Sequence, residues 1–320
     1  MKWIFTLCLV LSQYASLFAQ NYTPKDTTYS IYSSYLKIRK KIPKVQPVWA
    51  ENPAQIIAFS NIVYATIPTN RQLHLDIFKL KKDKKKKQPA VIMIHGGGWM
   101  SGSKENLIPM AQQLAKKGFV TVTVEYRLGG EAPYPAAIHD LKTAIRWIRS
   151  NAENYNIDTN KIAAYGCSAG AHLATLLGTT NDNPIFDNLA SSTENTHYSA
   201  NIQAILNIDG IVSFVHPEAK PEWTGKSANT WLGDFNTNYD NWKAASPLEY
   251  INEKTPPILF INSSRPRFHA GRDDFINSIE QYNTYYETYT FDDSPHVFWL
   301  LEPWFQPTLK YSIRFLKKVF

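Results

Sequence analysis

Seven short apolar runs recur along the chain, and segments with apolar residues at helical spacing lie between most of them. Several runs are continuously apolar, as expected for strands that helices cover on both faces of a sheet. The predicted strands are residues 73–80, 89–95, 119–126, 161–166, 203–209, 256–262 and 286–291. The predicted helices are residues 105–117, 136–151, 169–177, 273–282 and 306–318. This alternation predicts an α/β fold with a mostly parallel sheet.

Two segments interrupt the alternation and are predicted to be insertions that form a cap above the sheet. Residues 179–201 are polar, and residues 212–242 carry tryptophans among Pro, Gly and Asn. Indole rings in such a cap either cover a substrate groove or pack the cap onto the core, and the sequence favours neither. The candidate groove residues are Trp99, Trp231 and Trp299.

The first 19 residues have the pattern of a secretion signal. Lys2 precedes an apolar run over residues 3–11, and small residues follow as far as Ala19. The apolar run is too short to span a bilayer, so no stable membrane insertion is predicted. Removal of the signal leaves an N-terminal extension, residues 20–64, and one large domain, residues 65–320, in the periplasm or outside the cell. The remaining cysteine, Cys167, has no partner for an intramolecular disulfide.

The composition is that of a globular protein, because 44% of the 320 residues are hydrophobic and 19% are charged. The formal net charge is +7, and much of the excess lies between Lys81 and Lys87. This run is interpreted as a solvated loop between two strands, with attraction to an acidic polysaccharide as the alternative. No nucleic-acid partner is predicted, since no aromatic residues are interleaved with the lysines and no binding motif accompanies them.

The motif "GCSAG", residues 166–170, follows a predicted strand and opens a predicted helix. This is G-x-S-x-G in the strand-turn-helix context of a nucleophile elbow, where glycines make room for a sharp turn. Ser168 is therefore the candidate nucleophile, and the N-terminus of the helix favours the negative charge that develops beside it. Cys167 is interpreted as a buried structural thiol, and His172 as structural.

A serine nucleophile needs a histidine within hydrogen-bond reach and an acid that orients the histidine. His296 lies after the last predicted strand, where the Ser…acid…His chain order places the base. The predicted acid is Asp273, after the preceding strand, with Asp274 as the alternative. Asp292 and Asp293 are less favoured, since they share a loop with the histidine.

The glycine-rich loop "IHGGGWMSG", residues 94–102, permits a phosphate cradle, a plain tight turn or a pocket of amide donors. A phosphate loop is disfavoured because Ser103 and Lys104 stand in the wrong order, and G-x-G-x-x-G fails at Ser101. The chain also lacks H-E-x-x-H and paired Cys/His spacing. No cofactor and no metal are predicted.

The segments "HGGGW", "EYRL", "GCSAG", the Asp273 region and His296 together resemble the α/β-hydrolase superfamily over residues 65–320. The resemblance is to its esterase/lipase branch, which includes hormone-sensitive-lipase-like and feruloyl-esterase-like bacterial secreted esterases. It implies a three-layer α/β-hydrolase fold with a cap, and an oxyanion hole formed by the amides of Gly97, Gly98 and Ala169. It also implies that His95 braces the glycine loop and takes no part in the chemistry.

Together these features predict a secreted serine carboxylic-ester hydrolase that removes acyl or methyl esters from plant cell-wall polysaccharides. The polar, Trp-rich insertions suit a sugar better than the apolar lid of a lipase. The alternatives are a small-molecule carboxylesterase or lipase, a serine peptidase on the same fold, and a non-catalytic binding protein.

Overall fold

The computed structural model describes residues 28–68, 70–82, 86–187, 195–219 and 221–320. Eight strands form one sheet in the order β1-β2-β4-β3-β5-β6-β7-β8. Strand β2 is antiparallel to both of its neighbours, and all other pairs are parallel. The strands are β1 (Ile56–Thr66), β2 (Gln72–Leu80), β3 (Gln88–Ile94), β4 (Val120–Val124), β5 (Ile157–Cys167), β6 (Ala204–Ile208), β7 (Ile258–Ser263) and β8 (Tyr286–Phe291).

Helices cover both faces of this sheet. One buried cluster contains the apolar residues of α3 and α5, and a second cluster on the opposite face contains those of α2 and α9. The three-layer α/β-hydrolase architecture is confirmed. The helices are α1 (Ile31–Arg39), α2 (Ile108–Lys116), α3 (Ala136–Ser150), α4 (Ala152–Tyr155), α5 (Ala169–Thr179), α6 (Pro221–Leu232), α7 (Tyr239–Ala244), α8 (Arg272–Glu280) and α9 (Phe305–Val319).

The N-terminal boundary of the domain was wrongly predicted. Residue 65 lies inside β1, which pairs with β2 along its length. Strand β1 has an irregular pattern of exposed and buried residues and two breaks in register, because it forms the edge of the sheet. The alternation of buried and exposed residues that marks a half-buried strand is absent from β1, so the sequence predicts an N-terminal extension there.

The segment before β1 is also part of the packed domain. Ile31 of α1 belongs to the core cluster that contains α2 and α9. Gln46–Pro47 pairs antiparallel with Leu301–Glu302, between the last long strand and α9. The predicted signal, residues 1–19, lies outside the described residues. Within the part of the chain that is described, no helix is both long and apolar enough to cross a membrane.

Both predicted insertions pack on the domain, although residues 188–194 and 220 lie outside the described ranges. In the first insertion, Arg146 and Arg149 of α3 donate hydrogen bonds to the backbone carbonyls of Tyr198 and Ser199. The second insertion contains α6 and α7, and its Trp242 is fully buried. The described lysines of the run between Lys81 and Lys87 are exposed, as expected for a solvated loop.

Candidate active site

Ser168 stands at a sharp turn between β5 and α5. Its backbone has φ 55° and ψ −121°, a conformation that costs energy in a non-glycine residue. A Cβ on Gly166 would lie 2.0 Å from the Gly170 carbonyl oxygen, and one on Gly170 would lie 2.1 Å from that of Ile94. Both outer positions of "GCSAG" therefore require glycine. The turn carries Ser168 to the N-terminus of α5, as the motif predicts.

The neighbouring Cys167 is fully buried at the end of β5. Burial raises the pKa of its thiol well above the ordinary value. A buried thiol that stays protonated is a poor nucleophile. The interpretation of Cys167 as structural agrees with this environment, and the exposed face of the turn belongs to Ser168.

The structure brings Ser168 and His296 together. The Ser168 Oγ and His296 Nε2 atoms are 2.8 Å apart, although the residues are 128 positions apart in the chain. His296 lies in the loop after β8, directly after Pro295. The hydrogen bond gives the serine hydroxyl an acceptor for its proton, which is the contact that nucleophilic catalysis requires.

The carboxylate that contacts His296 is that of Asp209, not that of Asp273. The His296 Nδ1 and Asp209 Oδ2 atoms are 2.7 Å apart. The other oxygen, Asp209 Oδ1, accepts a hydrogen bond from the Ser263 backbone N–H at 2.8 Å. Asp209 is fully buried and directly follows β6. The carboxylate is therefore fixed on both oxygens.

The prediction of Asp273 as the acid partner is wrong, and so is its alternative Asp274. Both lie in the exposed first turn of α8. Asp273 accepts a hydrogen bond from Arg272, which lowers the pKa of Asp273, while Asp274 pairs with His216. Within the described residues, neither carboxylate forms a hydrogen bond or ion pair with His296.

The sequence carries a signal for Asp209 in the run "NIDG". The Ser168 N–H donates to the carbonyl of Ile208 at 2.9 Å, so the end of β6 lies against the elbow. A Cβ on Gly210 would lie 2.7 Å from the Ser168 carbonyl oxygen. These contacts pack Asp209, between β6 and Gly210, beside the nucleophile. The Ser…acid…His chain order is kept, but the acid comes one strand earlier than predicted.

Two aromatic rings hold the imidazole of His296. Phe268 stacks on it with ring centres 3.3 Å apart and planes 7° apart, and Trp299 meets it edge to face at 5.2 Å. Phe268 ends a short 3₁₀ turn, Pro266–Phe268, after β7. Sequence reasoning missed this residue, because nothing in a single aromatic side chain on a loop identifies its neighbour. Together with Asp209, the two rings restrict the histidine to one orientation.

The glycine loop after β3 passes directly beside the serine. A Cβ on Gly96 would lie 3.0 Å from the Ser168 Cβ. Gly97 and Gly98 have φ of +122° and +61°, which favour glycine. Within the described residues, no hydrogen bond is formed by the backbone N–H groups of Gly97, Gly98 or Ala169. These three amides are therefore available to an anionic oxygen on a substrate bound at Ser168.

His95 and Tyr126 brace this loop from below. The His95 Nδ1 donates to the Gly96 carbonyl at 2.8 Å, and the ring stacks on Tyr126 with centres 4.5 Å apart. The Tyr126 hydroxyl donates to the His95 carbonyl at 2.9 Å. His95 therefore contacts the backbone of the loop, as the family resemblance implies.

The three candidate groove tryptophans are all buried, at no more than 7% exposure. Trp99 and Trp231 stack on each other with centres 5.2 Å apart, and Trp99 Nε1 donates to His172 Nδ1 at 3.2 Å. His172 Nε2 donates to the Ala245 carbonyl at 2.6 Å, and burial lowers the pKa of His172 to about 4. Protein atoms cover these rings, so of the two alternatives Trp99, Trp231 and Trp299 follow core packing and do not line a substrate groove.

Among the described residues, no group of three or more His, Cys, Asp or Glu side chains is arranged to hold a metal ion.

Comparison with known proteins relates this site to esterases. Residues 75–270, more than half of the chain, match the BD-FAE family. Esterase LipC of Mycobacterium tuberculosis is 26% identical over 265 residues, which are 79% of this chain and 56% of LipC. The chain spans about half the length of the curated relatives it matches.

Solved structures share the fold. A thermophilic esterase of Thermogutta terrifontis superposes with a TM-score of 0.67 at 26% identity, covering 82% of this chain and 92% of its own. A truncated carbohydrate esterase from gut microbiota superposes with a TM-score of 0.70 at 21% identity, covering 84% and 99%. These matches show that the domain has the fold of known esterases. The chain belongs to the BD-FAE family, in the esterase/lipase branch of the α/β-hydrolases.

Proposed function

We propose that the protein is a serine carboxylesterase in which Ser168, His296 and Asp209 form the catalytic triad. The observation that supports this most directly is the chain of hydrogen bonds from Ser168 Oγ to His296 at 2.8 Å and from His296 to Asp209 at 2.7 Å. Oγ attacks the ester carbonyl while Nε2 takes its proton, and Asp209 stabilises the imidazolium that forms.

The attack places negative charge on the carbonyl oxygen of the substrate. The N–H groups of Gly97, Gly98 and Ala169 are proposed to bind this oxygen, each lowering the barrier by about 3 kcal/mol. His296 then gives its proton to the departing alcohol, which leaves an acyl group on Ser168. In the second half of the reaction His296 activates a water molecule, and the acid is released.

The proposed substrates are acyl or methyl esters of plant cell-wall polysaccharides, in the periplasm or outside the cell. The polar character of the cap insertions supports a carbohydrate ester, as does the description of one structural neighbour as a carbohydrate esterase. The secretion pattern of residues 1–19 supports the location. N-terminal sequencing of the protein from the periplasm and the medium tests it, since an intact residue 1 in both would contradict export by cleavage.

The nucleophile is tested with p-nitrophenyl acetate. Ser168→Ala removes the attacking oxygen, so we expect kcat to fall by a factor on the order of 10³ or more. Circular dichroism and Tm measured on the same preparation show whether the variant is folded. A folded Ser168→Ala protein with undiminished activity would disprove the serine mechanism.

The acid is tested by two matched substitutions. Asp209→Asn keeps the shape of the side chain but no longer stabilises the imidazolium, so kcat is expected to fall by a factor on the order of 10³ to 10⁴. Asp273→Asn, in the exposed first turn of α8, is expected to change kcat by less than about twofold. The reverse pattern would assign the acid to Asp273. Release of acetate, methanol or ferulate from acetylated xylan, pectin and feruloylated arabinoxylan then identifies the ester.

A further inference from the structure

Helix α1 and the segment after it place two exposed aromatic rings side by side on the surface. Tyr32 and Trp49 are 56% and 52% exposed, which is unusual for Trp, a residue that is highly buried on average. Their ring centres lie 6.4 Å apart, with planes 33° apart. Leu36, one helical turn after Tyr32, is exposed on the same face of α1. Exposed apolar side chains grouped in this way, unlike single scattered ones, are typical of a binding surface.

Both rings follow residues that are fixed to the domain. Ile31, which precedes Tyr32, is buried in the core cluster that contains α2 and α9. Val48, which precedes Trp49, donates its backbone N–H to the Leu300 carbonyl at 3.0 Å. A surface that is fixed before binding loses little conformational entropy when a ligand is placed on it.

The same surface is strongly basic. Residues 28–50 contain five basic residues and no acidic residue, so their local charge is +5, compared with +7 for the whole chain. All five are exposed, namely Lys37, Arg39, Lys40, Lys41 and Lys44. Lys40 follows Tyr32 and Leu36 at intervals of four residues, so the charge continues the stripe that carries the ring.

The lysines of this surface are not neutralised by the protein. Among the described residues, no carboxylate forms an ion pair with Lys37, Lys40, Lys41 or Lys44. Glu51, the first acidic residue after them, pairs instead with Lys116 at 2.8 Å. A group of like charges without partners attracts a polyanion.

The orientation of α1 disfavours a lipid surface as the occupant. A helix that lies in a membrane interface turns its apolar face outward. Helix α1 turns Ile31 and Ile38 inward onto the core cluster and shows the rings and the cations to solvent. Flat rings beside ammonium groups suit a chain of acidic sugars, whose ring faces pack on aromatic side chains and whose carboxylates pair with lysines.

We propose that this surface, called the α1 platform (Tyr32, Leu36, Trp49 and the four lysines), binds a polyuronate chain outside the active site. The choice of a sugar polymer among polyanions rests on the proposed function, because an enzyme that cleaves polysaccharide esters meets acidic polysaccharides where it works. The binding itself needs no ester chemistry. It holds the protein on a polymer while Ser168 acts on esters of the same material.

The test measures Kd by titration calorimetry with polygalacturonate and with galactan, which lacks the carboxylates. We expect polygalacturonate to bind about tenfold more tightly than galactan and to bind more weakly as salt is added. The triple variant Lys40→Gln, Lys41→Gln, Lys44→Gln is expected to weaken polygalacturonate binding about tenfold. The matched control, Lys81→Gln, Lys82→Gln, Lys86→Gln, removes the same charge from the loop between β2 and β3 and is expected to change Kd less than about twofold.

The aromatic part of the α1 platform is tested separately. Trp49→Ala removes one ring without a change of charge, so we expect Kd for polygalacturonate to rise about tenfold. Trp49→Tyr keeps a ring and is expected to recover part of the loss. Tyr282→Ala, which removes an exposed ring after α8, is the control and is expected to leave Kd unchanged. Tm measured on each variant shows that it is folded.

Equal loss in the two lysine variants would overturn the α1 platform, because the effect would then come from net charge alone. Equal or tighter binding of phosphatidylglycerol–phosphatidylcholine vesicles, or of a single-stranded DNA oligonucleotide, would assign the surface to another polyanion and overturn the proposal. Failure of the esterase proposal has a different signature. In that case p-nitrophenyl acetate hydrolysis survives in Ser168→Ala, while the Kd values for polygalacturonate stay as expected.

Discussion

His296 is restrained on three sides, and each restraint comes from a different loop. Asp209 follows β6, Phe268 follows β7, and Trp299 lies beyond β8. A base in a hydrolase of this kind has to serve two partners in turn, the serine hydroxyl and the leaving alcohol. Small errors in its orientation affect both steps.

Phe268 is therefore expected to position the base. Phe268→Ala removes the stacked face, so we expect kcat for p-nitrophenyl acetate to fall about tenfold with little change in KM. Phe268→Tyr keeps the stacking and is expected to restore most of the loss. Phe235→Ala, which opens a half-buried aromatic contact with Trp242 in the cap, is the control for general loosening. A similar loss of kcat in both alanine variants would indicate a structural effect only.

At the level of elements, the sequence predicted most accurately the features that a local requirement on the backbone or on burial imposes. The elbow at Ser168 needs glycine on both sides, and the glycine loop needs φ values that other residues avoid, so both leave a clear motif. The inner strands of the sheet are buried on both faces and read as apolar runs. These features depend on residues that are close together in the sequence, so they can be recognised from one sequence alone.

The features that were missed depend on distant contacts. The edge strand β1 has an irregular pattern, since its pairing with β2 is interrupted twice. The choice between Asp209 and Asp273 depends on which strand end faces His296, and several acids follow strands in this chain. The location of the tryptophans was equally hard to predict. An indole ring can line a groove or pack in a core, and only the tertiary structure shows that these rings are buried.

For the molecule as a whole, two histidines, the half-buried His139 and the buried His172, link stability to pH. Burial lowers the pKa of His139 and that of His172 to about 4, from an ordinary value of 6.5. Between about pH 6.5 and pH 4 the unfolded chain therefore binds more protons than the folded protein. The free energy of unfolding is expected to decrease as the pH falls through this range.

Tm measured at pH 7 and pH 5 checks this expectation. We expect a lower Tm at pH 5, and a smaller decrease in His139→Gln than in the wild type. His197→Gln, which replaces an exposed histidine, should retain the full decrease. If Tm falls equally in both variants between the two pH values, His139 is not the source of the pH dependence.

The short pairing of Gln46–Pro47 with Leu301–Glu302 has a consequence for biosynthesis. It pairs an early part of the chain with a segment that follows His296 by a few residues, and some 250 positions lie between the two strands. Ser168 and His296 are themselves 128 positions apart. A ribosome therefore finishes β1 to β8 before the base can meet the nucleophile, and contacts of such separation form slowly. The nascent protein accordingly has no assembled reaction centre until nearly all of the chain has been translated.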